Sequence, residues 1–134
     1  PKSPQIFQTQ WSPKIKFDIK TRNTKVADDV YEVVLVLTAE AQLEEETAFV
    51  VEVHQAGIFT VKEFSETDLE RVLATVCPSI LFPYSRESLD ALVVKGSFPP
   101  LMVAPINFEA LYAQQKQAAE QQATSGEAAS ESVQ

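Results

Sequence analysis

The stretch KIKFDIK, residues 14–20, alternates polar and apolar side chains without a break. A period of two residues is typical of a β-strand with one solvated face. Two further stretches, YEVVLVLTA at 31–39 and TAFVVEVHQA at 47–56, are apolar on both faces, which is typical of strands that are covered on two sides. The connection at 42–46 is short and acidic, as in a hairpin. The sequence therefore predicts an antiparallel β-meander, in which residues 57–61 prolong the last strand and Gly57 marks a bulge or bend.

Two helical segments are predicted after the strands. Thr67 and Glu70 have the spacing of a capping box, which satisfies free amides at a helix start. Apolar residues follow at helical spacing: Leu69, Val72, Leu73 and Val76. We expect this helix to stop before Pro78, because proline lacks an amide proton and restricts the residue before it. A second helix is expected from about Tyr84 to Gly96, a residue type that commonly ends helices, so a proline-bounded turn separates the two.

The last part of the chain predicts a loop, a helix and a tail. Residues 98–106 are rich in proline yet apolar, so we expect a loop that lies against other apolar surface. Asn107 is placed to cap a final helix that buries Phe108, Leu111 and Tyr112. From about residue 117 the composition shifts to Gln, Ala, Glu and Ser. We therefore expect one domain over residues 1–116 and a disordered tail over 117–134.

Charge is distributed unevenly along this chain of 134 residues, whose net charge is −8. Residues 1–25 hold six basic side chains and one acidic one, whereas residues 26–70 hold twelve acidic and one basic. The acidic middle disfavours nucleic acid and anionic membrane and favours a basic protein partner, although it also fits a face that only aids solubility. No apolar run is long enough to span a membrane, and residues 1–4 have no signal-peptide pattern. With Cys77 as the single cysteine, we expect a cytoplasmic protein.

Carboxylates are plentiful, but the other residues that catalytic and phosphate-binding motifs need are sparse. His54 is the only histidine, and the three glycines are too far apart for a phosphate-binding loop. An acid–base pair among Asp28, Asp29 and Glu32 stays open on spacing alone. We therefore predict a protein that is not an enzyme and that uses no metal or cofactor.

Several segments together resemble the SecB family of bacterial export chaperones. They match in order and spacing between about residues 5 and 112, and they are ADDVYEVVL at 27–35, ETAF at 46–49, QAGIF at 55–59, CPSILFPYSRE at 77–87, GSFP at 96–99 and APINFEAL at 104–111. The resemblance implies an α+β protomer, an antiparallel sheet with helices packed on one side, and assembly as a dimer of dimers. It also implies binding of unfolded precursor proteins and their delivery to the ATPase SecA. Family members carry another strand before the position equivalent to Pro1, so we expect three strands in this chain where the family has four.

The resemblance also suggests three sets of functional residues. The client groove would be lined by Trp11, Phe17, Ile80, Leu81, Phe82, Tyr84 and Leu101, and core packing is the alternative for each aromatic residue. The SecA-contacting surface would hold Val50 and Glu52, with Glu44, Glu45 and Glu46 extending its charge. Val51, Val53 and Gln55 alternate on one strand face and are candidates for the subunit interface, with intrachain packing as the alternative.

Three other functions remain open at this point. A related chaperone could serve a toxin and antitoxin system and protect one dedicated client. An α+β domain of this size could also be a small-molecule cup or an enzyme with an apolar cavity. An acidic adaptor without chaperone activity would bind one folded basic partner and ignore denatured clients.

Overall fold

The computed structural model describes residues 13–132, with side chains described for residues 13–122. Three long strands follow one another as β1 (Lys14–Ala27), β2 (Val30–Leu43) and β3 (Glu46–Thr60), and they form an antiparallel sheet in the order β1-β2-β3. The helices are α1 (Glu66–Ala74), α2 (Val76–Lys95) and α3 (Phe108–Ser132). The predicted meander is confirmed, as is the expectation of three strands for the part of the chain that the structure describes.

Each of the two hairpin turns contains two residues. The observed β2–β3 connection is therefore shorter than the predicted one at 42–46. Leu43 pairs with Glu46, which leaves only Glu44 and Glu45 in the turn, with φ angles of 52° and 68°. Positive φ at both central residues matches the right-handed twist of the adjoining strands. Strand β3 runs through Gly57, and the register of the β2–β3 pair shifts between Ala41 and Gln42 instead. The prediction of a bulge at Gly57 is therefore wrong, and the prediction that the following residues prolong the last strand is confirmed as far as Thr60.

The two faces of the sheet differ because the helices cover only one of them. On β2, the odd-numbered residues Val33, Leu35 and Leu37 are fully buried under the helices. Helix residues complete this core: Leu73, Cys77, Leu81, Phe82 and Phe108. The opposite face, which we call the open face because none of the described helices covers it, carries the even-numbered residues of β2 and their cross-strand partners. Val34 and Val36, in the middle of this face, are nevertheless buried. The α+β fold with helices on one side of the sheet is confirmed.

Helix α1 begins two residues earlier than the sequence predicts. Ser65 is the N-cap, and its hydroxyl accepts a hydrogen bond of 3.2 Å from the Asp68 amide. Thr67 therefore lies inside the first turn, and the predicted capping box is wrong. Ser65 and Thr67 are both short polar residues of the kind that cap helices, so the sequence alone did not show which of them is the N-cap.

Helix α2 crosses both prolines, so the predicted proline-bounded turn is also wrong. The break between α1 and α2 lies at Thr75, whose φ of −124° is not helical and whose hydroxyl donates to the Arg71 carbonyl at 2.7 Å. Pro78 occupies the first turn of α2, where no amide proton is required. Pro83 lies within the helix, and burial of its neighbours Leu81 and Phe82 holds that turn against the sheet. The expected end at Gly96 is confirmed.

Helix α3 begins where the sequence predicts. Asn107 accepts a hydrogen bond from the Ala110 amide at 3.1 Å, and Phe108 is buried in the core. The helical backbone continues past residue 117 as far as Ser132. The division into a domain at 1–116 and a tail at 117–134 stays a prediction.

Candidate functional site

Helix α2 has apolar side chains on both its inner and its outer face. Its inner residues Leu81, Phe82 and Leu89 are buried against the sheet and α3. On the outside, Ile80 and Tyr84 lie one turn apart and are 52% and 60% exposed. Val76 and Val94 are exposed as well, and with Ile80 and Tyr84 they make up what we call the α2 stripe. Val76, Ile80 and Tyr84 follow one another at successive turns, and exposed Glu87 and Ser88 separate them from Val94. Exposed apolar side chains grouped in this way are typical of a binding or assembly surface.

The predicted groove residues separate into three groups in the structure. Ile80 and Tyr84 are exposed on the α2 stripe, and Leu81 and Phe82 are buried beneath them, where Phe82 meets Phe108 edge-on at 6.0 Å. Phe17 and Leu101 are partly buried and pack on the small cluster of Ala39, Val53 and Leu89. Trp11 lies outside the described residues.

The loop between α2 and α3 is anchored at two points and exposes a residue between them. Phe98 is buried, with its ring 4.9 Å from that of Phe49, and the Leu101 amide donates to an Asp90 carboxylate oxygen at 3.1 Å. Met102 follows with a φ of 54°, and its side chain is 80% exposed. Sequence reasoning did not single out Met102, although a methionine in an apolar, proline-bounded loop was the available signal.

Glu52 lies on the open face of the sheet within a small hydrogen-bonded group. It accepts from the Thr38 hydroxyl at 3.2 Å and lies 3.1 Å from His54 Nε2. The hydrogen bond from His54, followed by that from Thr38, lowers the pKa of the Glu52 carboxyl. Val50 and Ile58, on the same strand and the same face, are exposed. This part of the open face therefore combines a hydrogen-bonded carboxylate with exposed apolar side chains.

The second predicted group of acids lies at the β2–β3 turn. Glu44 and Glu45 form the turn and Glu46 begins β3, so the group is six residues or more from Glu52 along the chain. At the rise of an extended strand this is a separation of roughly 20 Å. The structure therefore places these acids at one end of the sheet instead of beside Glu52.

Val51, Val53 and Gln55 alternate on the helix-covered face, which confirms that they share one face of β3. Val53 is buried against Ala39 and Leu89, and Val51 packs on the same cluster. In the protomer these side chains form part of the sheet surface on which α2 packs. Their part in subunit contacts stays a prediction.

The side chains that could have carried chemistry lie apart. His54 pairs with Glu52 on the open face, Cys77 is buried in the core, and Asp29 lies in the β1–β2 turn. Burial raises the pKa of the Cys77 thiol, so it is a poor nucleophile at neutral pH. Across the described part of the chain, no three His, Cys, Asp or Glu side chains are grouped as metal ligands, and no helix has the length and apolar character needed to cross a membrane.

Comparison with known proteins identifies the family of this chain. A family described as preprotein translocase subunit SecB matches residues 1–119. The chain belongs to the SecB family. A protein-export protein SecB of Hahella chejuensis is 50% identical over 130 residues, covering 96% of this chain and 82% of that protein. Another, of Pseudomonas fluorescens, is 52% identical over 117 residues, covering 87% of this chain and 74% of that protein.

A solved structure supports the same fold. A SecB-like chaperone of Mycobacterium tuberculosis, in complex with a ChAD peptide from the HigA1 antitoxin, superimposes with a TM-score of 0.53 at 20% identity. The likeness covers 72% of this chain and 76% of that one, and at this identity it shows the fold alone. The resemblance drawn from the sequence is confirmed, and the function of this SecB-family chain is that of a protein-export chaperone.

Proposed function

We propose that this SecB-family chain is a non-enzymatic cytoplasmic holdase that binds unfolded precursor proteins, passes them to SecA, and works as a homotetramer built as a dimer of dimers. The observation that carries the proposal is the α2 stripe, because an acidic protein whose relatives are named for protein export exposes several apolar side chains on the outer side of one helix. Such a surface binds either another copy or an unfolded chain.

Client binding would use exposed apolar residues of α2 and of the loop that follows it. Met102 offers a flexible, polarisable side chain that adapts to many sequences, and Tyr84 offers a large ring with few rotatable bonds. Phe17 and Leu101, which pack on one cluster, would extend the surface toward β1. Several weak contacts along one client give useful affinity while binding stays reversible. Leu81 and Phe82 would support this surface from within the core.

Transfer of the client would depend on a competing partner that the open face attracts. Glu52, which is hydrogen-bonded to His54 and Thr38, presents a carboxylate there, and Val50 beside it adds apolar contact. A basic region of SecA would be steered to such a site in a salt-dependent way. Glu44, Glu45 and Glu46 would provide a second acidic contact at the end of the sheet.

Assembly would bury the part of the α2 stripe that clients do not use. The helix-covered face of β3 carries Val51, Val53 and Gln55. They would affect assembly by setting the distance and orientation of α2 relative to the sheet. This reading gives the three residues an indirect role in the subunit interface. A chaperone of a toxin and antitoxin system is the second candidate, but the two relatives that are half identical are both named for protein export.

Light scattering tests the proposal directly. The molar mass of the purified chain is measured alone and with a reduced, slowly folding precursor, at low and moderate salt. A mass near four protomers that increases with the precursor supports the proposal. A well-folded species that binds no unfolded client rejects the holdase function, and a dimer that captures the precursor rejects only the tetramer.

A second test concerns SecA. Glu52→Lys should weaken the binding of this chain to SecA strongly, and Glu70→Lys, on α1, should not.

A further inference from the structure

The chain holds two sulfur atoms, and the fold places them in opposite environments. Cys77, the only cysteine, is buried in the core between the helices and the sheet. Met102, the only methionine, is 80% exposed, more than any other large hydrophobic side chain of the described residues. Cysteine and methionine are the side chains that are oxidised at sulfur, and exposure governs which of them an oxidant reaches. The two residues therefore differ as targets of oxidation.

The thiol of Cys77 is a poor target for oxidants. It belongs to the same core cluster as Leu81 and Phe82, so an oxidant reaches it only when the core opens. Burial also raises the pKa of the thiol, so little of the reactive thiolate is present at neutral pH. The thioether of Met102 needs no deprotonation, because a lone pair of its sulfur attacks the oxidant directly.

The residues on either side of Met102 are held against the protein, whereas its own side chain is not. The Leu101 amide donates to an Asp90 carboxylate oxygen at 3.1 Å. The side chains of Leu101 and Val103 pack on the small cluster around Leu89. Met102 itself belongs to none of the hydrophobic clusters of the described chain. A chemical change at its thioether therefore alters the surface and leaves the core packing as it is.

Hydrogen peroxide would add one oxygen atom to the Met102 thioether. The sulfur attacks one peroxide oxygen, the O–O bond breaks and an S–O bond forms. The sulfur loses two electrons, the peroxide is reduced, and its second oxygen leaves as water. The product, methionine sulfoxide, is polar where the thioether was apolar, and methionine sulfoxide reductases convert it back. The modification is thus reversible and changes the chemistry of one exposed contact.

We propose that Met102 is a reversible oxidation site through which peroxide weakens client binding by the loop that follows α2. The inference rests on the proposed holdase function, to which it adds a means of regulation. A thioether makes apolar contact with many client sequences, whereas a sulfoxide oxygen buried against an apolar client loses its hydrogen bonds to water. Because several weak contacts hold one client, the loss of this one lowers affinity without abolishing capture.

Peptide mass mapping of the full chain locates the modified residue. The chain is treated with hydrogen peroxide at neutral pH, folded and in urea, and the oxygen gained at Met102 and Cys77 is measured over time. In the folded chain Met102 should react at least about tenfold faster than Cys77. Urea should accelerate the oxidation of Cys77 by more than about tenfold and that of Met102 by less than about twofold, since only Cys77 is protected by the fold. Faster oxidation of Cys77 in the folded chain would overturn the inference.

Precursor capture by the oxidised chain measures the consequence for binding. The peroxide is removed before the reduced precursor is added, so that only the chaperone is oxidised. Oxidation should weaken capture by about threefold to tenfold, and treatment with methionine sulfoxide reductase should restore it. The urea midpoint of the oxidised chain should equal that of the untreated chain. A lowered midpoint would assign the weaker capture to unfolding and would overturn the inference.

Two variants at the same position provide the controls. Met102→Leu cannot be oxidised there, so peroxide should leave its capture unchanged, whatever its starting level. Met102→Gln places a polar side chain of similar length at this point, and it should capture the precursor weakly with or without peroxide. Equal losses in Met102→Leu and the unsubstituted chain on peroxide treatment would overturn the inference, as would full capture by Met102→Gln.

The same samples separate this inference from the proposed function. If the untreated chain captures the precursor and oxidation of Met102 leaves that capture unchanged, only the inference about Met102 fails. If the untreated chain captures no precursor, the holdase function fails and the regulatory role of Met102 fails with it.

Discussion

Leu81 packs directly over Gly57, so that helix α2 touches the backbone of strand β3. A Cβ atom at residue 57 would lie 2.8 Å from Leu81 Cδ2 and 3.0 Å from the ring of Phe59. Because Leu81 is itself buried, its side chain has little room to move aside. Glycine at this point sets how closely α2, and with it the α2 stripe, approaches the sheet.

We expect Gly57→Ala to lower the free energy of unfolding by about 1–3 kcal/mol, as overpacking in a close-packed core does. Urea denaturation of the chain measures the change. Gly96→Ala is the control, because the added Cβ would meet its nearest neighbour at an ordinary 3.4 Å and Gly96 has a φ of −79°. Equal effects of the two substitutions would contradict the packing argument.

Exposure along α2 predicts opposite outcomes for neighbouring residues. Leu81→Ala should destabilise the protein by about 2–5 kcal/mol, since it removes a buried side chain and leaves a cavity. Ile80→Gln/Tyr84→Gln should leave the unfolding free energy within about 1 kcal/mol, because both side chains are exposed, and should reduce precursor capture or assembly. Urea denaturation and light scattering on the same samples measure both effects. A double variant as unstable as Leu81→Ala would show that the α2 stripe is covered in the protomer.

The β2–β3 turn offers a stabilising change. Glu44 and Glu45 both have positive φ, a conformation that Asn and Gly adopt at lower cost. Glu44→Asn/Glu45→Gly should raise the unfolding free energy by about 0.5–1 kcal/mol. Thermal denaturation tests this, with Glu46→Gln, one residue into β3, as the control for lost charge. If only the loss of charge matters, the control will change stability in the same direction.

The group around Glu52 predicts a specific pH dependence. The pKa of Glu52 is held below its ordinary value of 4.5 by hydrogen bonds from His54 and then Thr38. A lowered pKa in the folded state means that the stabilisation is present above the ordinary value and is lost as the pH falls through the lowered one. Carboxyl resonances should give a Glu52 midpoint below 4.5, and His54→Ala should raise it. A midpoint unaffected by His54→Ala would leave Thr38 as the cause.

Much of the sheet is predictable from the sequence, because period-two alternation at 14–20 and β-branched residues at 31–39 are local signals. The helix boundaries were less predictable. Pro78 and Pro83 are both tolerated within α2, the first because the opening turn needs no amide and the second because its neighbours are held by the core. Met102 has a φ of 54°, and no pattern in a single sequence predicts this backbone angle at a methionine.

The sequence by itself determined the class of fold, the family and the charge asymmetry, since these depend on residue type and order along the chain. Only the tertiary structure decided that Leu81 is buried and Ile80 exposed, and that Val53 lies under α2 while Glu52 lies on the open face. Adjacent residues of a helix or strand carry the same local signals. Which of them is covered depends on the surface that the rest of the chain brings against them, and that surface exists only once the protein has folded.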